Sequence, residues 1–148
     1  MTFLFSFLHE LTHAGAAKLF GCGFSIGTAG IFGNVVYVRS EGSTVFIKTF
    51  IQIAGPALNL VIAGVTLGLV HWRILPESDL TEMVIYSNGM LAAFNLLPFF
   101  PLDGGRIFES LIAYLVGDKA ARTAVTFFSK GFAVFIFFSG LYLVKYNL

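Results

Sequence analysis

Long stretches without charged side chains alternate with short polar segments along this chain of 148 residues. The windows Thr49–Trp72 and Met83–Leu102 contain no Asp, Glu, Lys or Arg, and each reaches the roughly 20 residues that cross a bilayer core. The opening segment, Met1 to about Phe20, and the tail from Thr123 to Val144 are also largely apolar. The pattern predicts a mainly α, polytopic membrane protein in which residues 1–148 form one domain with four transmembrane helices.

The stretch from Gly21 to Lys48 has a different pattern. Two segments, Gly23–Gly27 and Asn34–Arg39, are bounded by glycines and rich in residues that favour strands, and residues 40–43 are typical of a turn. Because an unpaired sheet edge is costly in lipid, such strands must be paired or packed on protein. We therefore expect a small β-hairpin or sheet at the membrane surface after the first helix.

The third span is interrupted near its end. Two prolines and two glycines lie between residues 98 and 105, so a regular helix cannot continue, and Ile107–Val116 extends the span beyond the break. Irregular backbone at membrane depth is tolerated where it faces protein or a wet cavity. We expect Asp103, within this segment, to point into such a cavity, unless it serves as a helix N-cap.

Composition supports a membrane protein. The chain is 57% hydrophobic and 11% charged, whereas soluble domains carry about 25% charged residues. The net charge of +1 gives no basic field for nucleic acid, and the hydrophobicity excludes a disordered chain. The single cysteine, Cys22, excludes an internal disulfide and a cysteine-based zinc cluster.

Basic residues are distributed asymmetrically between the two sides of the predicted spans. By the positive-inside rule, the side that contains the hairpin and Arg106 faces the cytoplasm. Arg73 and Lys145 fall on the opposite side. The seven basic residues on the cytoplasmic side are Lys18, Arg39, Lys48, Arg106, Lys119, Arg122 and Lys130.

The first predicted helix carries the sequence His9-Glu10-Leu11-Thr12-His13. Two histidines four residues apart lie on one helix face and can bind one zinc ion, and the Glu between them is the general base of such sites. The other interpretation is a pair of core histidines beside a buried Glu, but ionisable groups inside a membrane are expensive and usually functional. A catalytic zinc site also needs a third protein ligand, and the acids at the break in the third span and in its extension are Asp103 and Glu109.

Three motifs in this order resemble the site-two protease family of intramembrane zinc metalloproteases. They are HExxH in the first span, Gly55-Pro-Ala-Leu-Asn59 in the second, and Asn95-x-x-Pro-x-x-Pro-Leu-Asp-Gly-Gly-Arg106 after the third. The resemblance covers roughly Leu4 to Leu115 and is strongest to compact members without a PDZ insertion, including the sporulation-type branch. Members carry more hydrophobic chain before HExxH, which predicts that this chain is truncated at its N-terminus.

The resemblance implies a role for each matching residue. Asn95 corresponds to the position that steadies the substrate or the oxyanion. Asn59 is assigned the same role, although an intramembrane Asn equally well forms a hydrogen bond between helices. One Zn²⁺ per chain is implied, with a general base beside it: the ligands are His9, His13 and Asp103, and the base is Glu10.

The implied function is an intramembrane zinc endopeptidase that hydrolyses peptide bonds within or near transmembrane segments, as in regulated intramembrane proteolysis. Its partners are then a membrane protein substrate and lipid, its active site lies nearer the cytoplasmic side, and its location is a prokaryotic cell membrane. An inactive membrane scaffold and, with less support, a transporter subunit are the alternatives, because broken helices with acidic residues also build ion sites. The substrate and the oligomeric state stay open.

Overall fold

The computed structural model describes residues 2–28, 34–39 and 42–145, and this part of the chain is mainly helical. The hydrophobic segments form helices, and a β-hairpin separates the first helix from the second. In chain order the elements are α1 (Thr2–Leu19), β1 (Gly23–Thr28), β2 (Asn34–Arg39), α2 (Val45–His71), α3 (Asp79–Asn95), α4 (Asp103–Val116) and α5 (Asp118–Lys145).

The two predicted strands are present and pair with each other. β1 and β2 run antiparallel, with Gly23 opposite Arg39 and Thr28 opposite Asn34. The hairpin packs against α1, so the chain returns to the first helix before it enters α2. The predicted turn at residues 40–43 lies partly outside the described residues, and the position of the hairpin relative to a membrane stays a prediction.

Helix α2 begins four residues before the charge-free window. Thr44 is its N-cap, and the Thr44 hydroxyl accepts a hydrogen bond from the Ile47 amide. Lys48 therefore lies in the first turn of α2, because a cap rather than the last charged residue decides where a helix begins. Pro56 lies inside α2 and is buried.

The predicted break in the third span is confirmed, and the helix before it ends earlier than the charge-free window does. Helix α3 ends at Asn95 rather than Leu102, and α4 is a separate helix that begins at Asp103 rather than Ile107. Pro98 and Pro101 explain the early end, because each lacks the N–H that a continuing helix would use.

The segment between α3 and α4 packs on α5. The Phe100 amide donates a hydrogen bond to the Ser129 hydroxyl at 2.8 Å, and the Phe99 ring stacks on Phe132 with ring centroids 3.7 Å apart. The irregular backbone thus faces protein here, and α5 provides a partner for its Phe100 amide. This packing sets the point at which α4, and with it Asp103, begins.

Small residues bring α1 and α2 close together. Ala16, Ala17 and Ile51 form a buried cluster between these helices, and the two alanines on the α1 side of this cluster allow a short distance between the backbones. α2 also packs against α3 and α4. α2 is therefore the element that contacts each of the helices that contribute to the site.

Two helices in the described part of the chain, α2 and α5, are long and apolar enough to cross a membrane. The predicted tail span lies within α5, which begins at Asp118. Many large apolar side chains of α5 are exposed, among them Phe127, Phe135 and Phe138, as expected of a surface that contacts lipid or another protein. The prediction of four spans is confirmed only as far as these two helices and the mainly helical fold.

Candidate metal centre

Two histidines of α1 and one aspartate of α4 meet at a single point. His9 Nε2 lies 3.0 Å from Asp103 Oδ2, His13 Nε2 lies 3.3 Å from the same oxygen, and the two Nε2 atoms are 3.2 Å apart. Tetrahedral ligands at zinc distances of about 2.0–2.1 Å are about 3.3 Å from one another. The three atoms therefore have the spacing and the chemistry of a zinc ligand set.

Helix periodicity places the two imidazoles side by side. His9 and His13 are one turn apart on α1, their ring centroids are 4.8 Å apart, and the ring planes cross at 80°. They are 3% and 4% exposed, so water competes little with a bound ion. The sequence predicted that the two histidines are neighbours on one helix face, and the structure has them in this arrangement.

The second nitrogen of each imidazole is held by α2. His13 Nδ1 lies 2.7 Å from the Ile51 carbonyl oxygen, and His9 Nδ1 lies 2.7 Å from Asn59 Oδ1. Such contacts orient metal-ligating histidines and direct the other nitrogen to the ion. Both Nε2 atoms accordingly face the carboxylate of Asp103.

Asp103 is the first residue of α4, and it does not cap the helix. The N-cap position is Leu102, and no side chain caps this helix end. The interpretation of Asp103 as an N-cap is therefore wrong. Its carboxylate is turned instead towards the two histidines, 94 and 90 residues earlier in the chain.

Gly55 of α2 closes one side of the site. A Cβ added at this position would lie 2.5 Å from His13 Nε2 and 2.7 Å from His9 Nε2. A methyl group there would occupy the space beside the two coordinating nitrogens. The motif that contains Gly55 favours close packing at this position, and the contact with the two histidines follows from the packing of α1 on α2.

Glu10 lies between the two histidines on α1 and is partly exposed. A general base needs access to water as well as proximity to the metal. The position next to His9 and the partial exposure suit that role, whereas full burial would not.

The two predicted asparagines have different surroundings. Asn59 is fully buried, and its amide contacts His9 on one side and Asn88 on the other. This is the hydrogen bond between helices that the sequence left as an alternative. Asn95, at the end of α3, is partly exposed and donates to the Leu91 carbonyl at 3.0 Å. A contact of either residue with substrate stays a prediction.

Asn88 was missed by the sequence analysis. It is fully buried on α3, and it links Asn59 to the helix backbone. A polar side chain in an otherwise apolar span is costly unless it is hydrogen-bonded. That cost was the available signal, but the sequence does not show which partner compensates for it.

Comparison with known proteins indicates a family. Residues 75–139 match the family model described as Peptidase family M50. A Synechocystis protein named "Putative zinc metalloprotease sll0528" is 32% identical over 115 residues, which are 75% of this chain and 30% of the relative. The chain carries a Peptidase family M50 (site-2 protease) domain, and its relatives are named zinc metalloproteases.

Two further similar proteins match more of the chain. The zinc metalloprotease MJ0392 of Methanocaldococcus jannaschii is 29% identical over 139 residues, which are 90% of this chain and 40% of the relative. The solved structure of a site-2 protease from the same organism has the same fold, with a TM-score of 0.73 at 24% identity, over 99% of this chain and 68% of that one. The M50 chain spans about a third of the length of the curated relatives it matches.

Proposed function

We propose that this chain is the catalytic unit of an intramembrane zinc metalloendopeptidase that cleaves within or near transmembrane segments. The observation that carries the proposal is the triangle formed by His9, His13 and Asp103, with sides of 3.0–3.3 Å. The Peptidase family M50 domain and the relatives named zinc metalloproteases support it. A scaffold or a transporter subunit would not need these three groups at coordinating distance from one another.

The residues of the triangle would hold one zinc ion. Zinc bound there would lower the pKa of a coordinated water to about 7, which would make a nucleophile available at neutral pH. The Ile51 carbonyl and Asn59 keep the imidazoles oriented, so little reorganisation is needed during the reaction.

Glu10 would transfer the proton. Its carboxylate accepts the proton of the attacking water and returns it to the amine that leaves when the peptide bond breaks. Asn95 would donate a hydrogen bond to the carbonyl oxygen of the substrate, where negative charge develops. The NH₂ group of Asn95 has two N–H donors, so one can bind the substrate while the other keeps its bond to the Leu91 carbonyl.

We place the site below the cytoplasmic surface of a four-span unit in which α1 and α3 accompany α2 and α5. Helix α3 has 17 residues, or about 26 Å at 1.5 Å per residue, close to the thickness of a bilayer core. His13 is five residues, about 7 Å, from Lys18, and Asp103 is three residues from Arg106. Basic residues thus follow both parts of the site, as expected on the cytoplasmic side.

The substrate would be a membrane protein whose helix is locally unwound, because a helix hides its peptide bonds in internal hydrogen bonds. An extended segment would then pair with the open edge of the β-hairpin, as in strand addition. Proline at Phe24 and, separately, at Ser25 tests this step. The N–H groups of neighbouring strand residues point to opposite edges of the strand. Because proline lacks this group, one substitution removes a donor from the open edge, and the other removes a donor to β2. Unchanged cleavage by both variants would exclude strand addition at β1.

Co-expression with a panel of single-span membrane proteins tests the function. We expect wild type to cleave at least one substrate, and Glu10→Gln to retain zinc but lose cleavage by at least about 100-fold. Glu109→Gln is the matched control, because Glu109 pairs with Arg122 at 3.0 Å outside the zinc ligand set. Zinc binding without cleavage of any substrate by wild type would favour the scaffold instead.

A further inference from the structure

A chain of buried side-chain amides runs from α3 through α2 to His9. Asn88 Nδ2 donates to the Val84 carbonyl at 2.9 Å, Asn59 Nδ2 donates to Asn88 Oδ1 at 2.9 Å, and Asn59 Oδ1 lies 2.7 Å from His9 Nδ1. Both asparagines are 0% exposed. Water therefore does not substitute for these partners.

The direction of this chain is determined at its far end. The Val84 carbonyl can only accept, so the NH₂ group of Asn88 must face it, and the Asn88 oxygen must face Asn59. The same argument turns the NH₂ group of Asn59 towards Asn88 and its oxygen towards His9. An amide oxygen next to His9 Nδ1 requires that this nitrogen carry the proton, so Nε2 keeps its lone pair.

We propose that Asn88 is a positioning residue for the metal site, acting through Asn59 to hold His9 with Nδ1 protonated and Nε2 directed at the ion. Asn88 takes part without touching the three ligands. The inference rests on the proposed function only as far as the metal site, and not on the identity of a substrate.

His13 is an internal control for the effect of Asn88 on His9. Its Nδ1 faces the Ile51 carbonyl at 2.7 Å, and a backbone carbonyl keeps its direction whatever side chain stands at position 88. Loss of the Asn88 side chain therefore releases Asn59 and His9 and leaves His13 oriented. A general loss of structure would affect both imidazoles alike.

The amide of Asn59 has two orientations that differ by exchange of its oxygen and nitrogen. Without Asn88, the orientation that presents NH₂ to His9 becomes accessible, and in it Nδ1 must accept and Nε2 must carry the proton. That tautomer cannot bind a metal through Nε2. Removal of partners that orient metal-ligating histidines typically costs 10–100-fold in metal affinity.

The test compares the full chain with its Asn88→Leu variant, both purified in detergent and loaded with zinc. Zinc affinity is measured by competition with a chelator, and exchange of the two imidazole Nδ1 protons with water by NMR of ¹⁵N-histidine-labelled protein. We expect affinity to fall by about 10-fold or more, with faster exchange at His9 and unchanged exchange at His13. Asn88→Ala serves the same purpose if the leucine variant does not fold.

Rescue separates positioning from packing. A carboxylate only accepts, so Asn59→Asp introduced together with Asn88→Leu should return slow exchange at His9 and most of the zinc affinity. Thr66→Val, which removes a polar group of α2 two turns from Asn59, should change neither measurement.

Equal zinc affinity and equal His9 exchange in wild type and Asn88→Leu would overturn the inference. So would equal changes at His9 and His13, or failure of the Asn59→Asp rescue. Zinc binding that depends on Asn88 in a chain that cleaves no substrate would overturn the proposed function and leave the positioning role intact. A wild-type chain that binds no zinc would overturn both.

Discussion

Asp103 follows His9 by 94 positions, and its Oδ2 lies 3.0 Å from His9 Nε2. The two residues come from helices far apart in the chain: His9 from the middle of α1, and Asp103 from the first turn of α4. The early end of α3 and the packing of α4 against α2 bring them together. Substitution of a ligand and substitution in the backbone that places it should therefore differ in their effects on zinc binding and on stability.

Asp103→Asn tests the third ligand. The substitution keeps the size of the side chain but removes the charge that a zinc ion would neutralise, and we expect zinc affinity to fall by more than about 100-fold. The helix itself should persist, because Asp103 does not cap it. Zinc content after dialysis against a chelator gives the first result, and circular dichroism the second.

Asp118→Asn is the matched control for that experiment. Asp118 is likewise the first residue of a helix, α5, but its side chain is 83% exposed and lies 3.9 Å from Lys48. We expect wild-type zinc content in this variant. Equal zinc loss at positions 103 and 118 would argue against Asp103 as a ligand.

Gly55→Ala tests whether α2 must leave space beside the histidines. The added Cβ would lie 2.5 Å from His13 Nε2, so we expect the rings to be displaced and zinc and activity to be lost together. Gly64→Ala on the same helix adds a Cβ with nothing within 4 Å and should bind zinc normally. Normal zinc affinity in Gly55→Ala would contradict this account of the site.

Gly104→Ala tests the placement of α4. A Cβ here would overlap the backbone carbonyls of Leu96 and Leu97, so the first turn of α4 must move and carry Asp103 with it. We expect weaker zinc binding and a loss of about 1–3 kcal/mol in stability, as for other overpacked sites. Thermal unfolding and zinc titration measure the two effects.

Gly131→Ala provides the comparison for position 104. Its Cβ would have nothing within 4 Å, so both measurements should match wild type. If Gly104→Ala is equally harmless, the close approach of α4 to the segment after α3 is not required.

Removal and exchange of the metal tests the chemistry of the ligand set. Two imidazoles and one carboxylate favour zinc or another late transition metal over magnesium, which prefers oxygen ligands. We expect a chelator to abolish cleavage, zinc to restore it and magnesium to fail at equal concentration. Full activity after exhaustive chelation, confirmed by elemental analysis, would rule out a metalloprotease.

Local features of the sequence were sufficient for the parts of the site that depend on neighbouring residues. Helix periodicity alone places His9 and His13 on one face. Pro98 and Pro101, together with Gly104 and Gly105, mark the break before Asp103, because several helix-breaking residues in one short segment disfavour a continuous helix, whereas the single Pro56 is accommodated inside α2. Two β-rich segments bounded by glycine likewise predicted the hairpin, in which β1 and β2 are indeed paired.

Contacts between distant segments could not be predicted in the same way. The packing of α1, α2 and α3 determines that Asn59 contacts Asn88 and that Gly55 approaches the two histidines. The exact end of α3 at Asn95, a few residues before the predicted break, belongs to a segment that packs on α5. Residue type and spacing thus indicated which chemical groups belong to the site, because those are local properties. Packing of helices far apart in the chain determined their orientation and partners, because the free energy of that packing comes from many contacts at once.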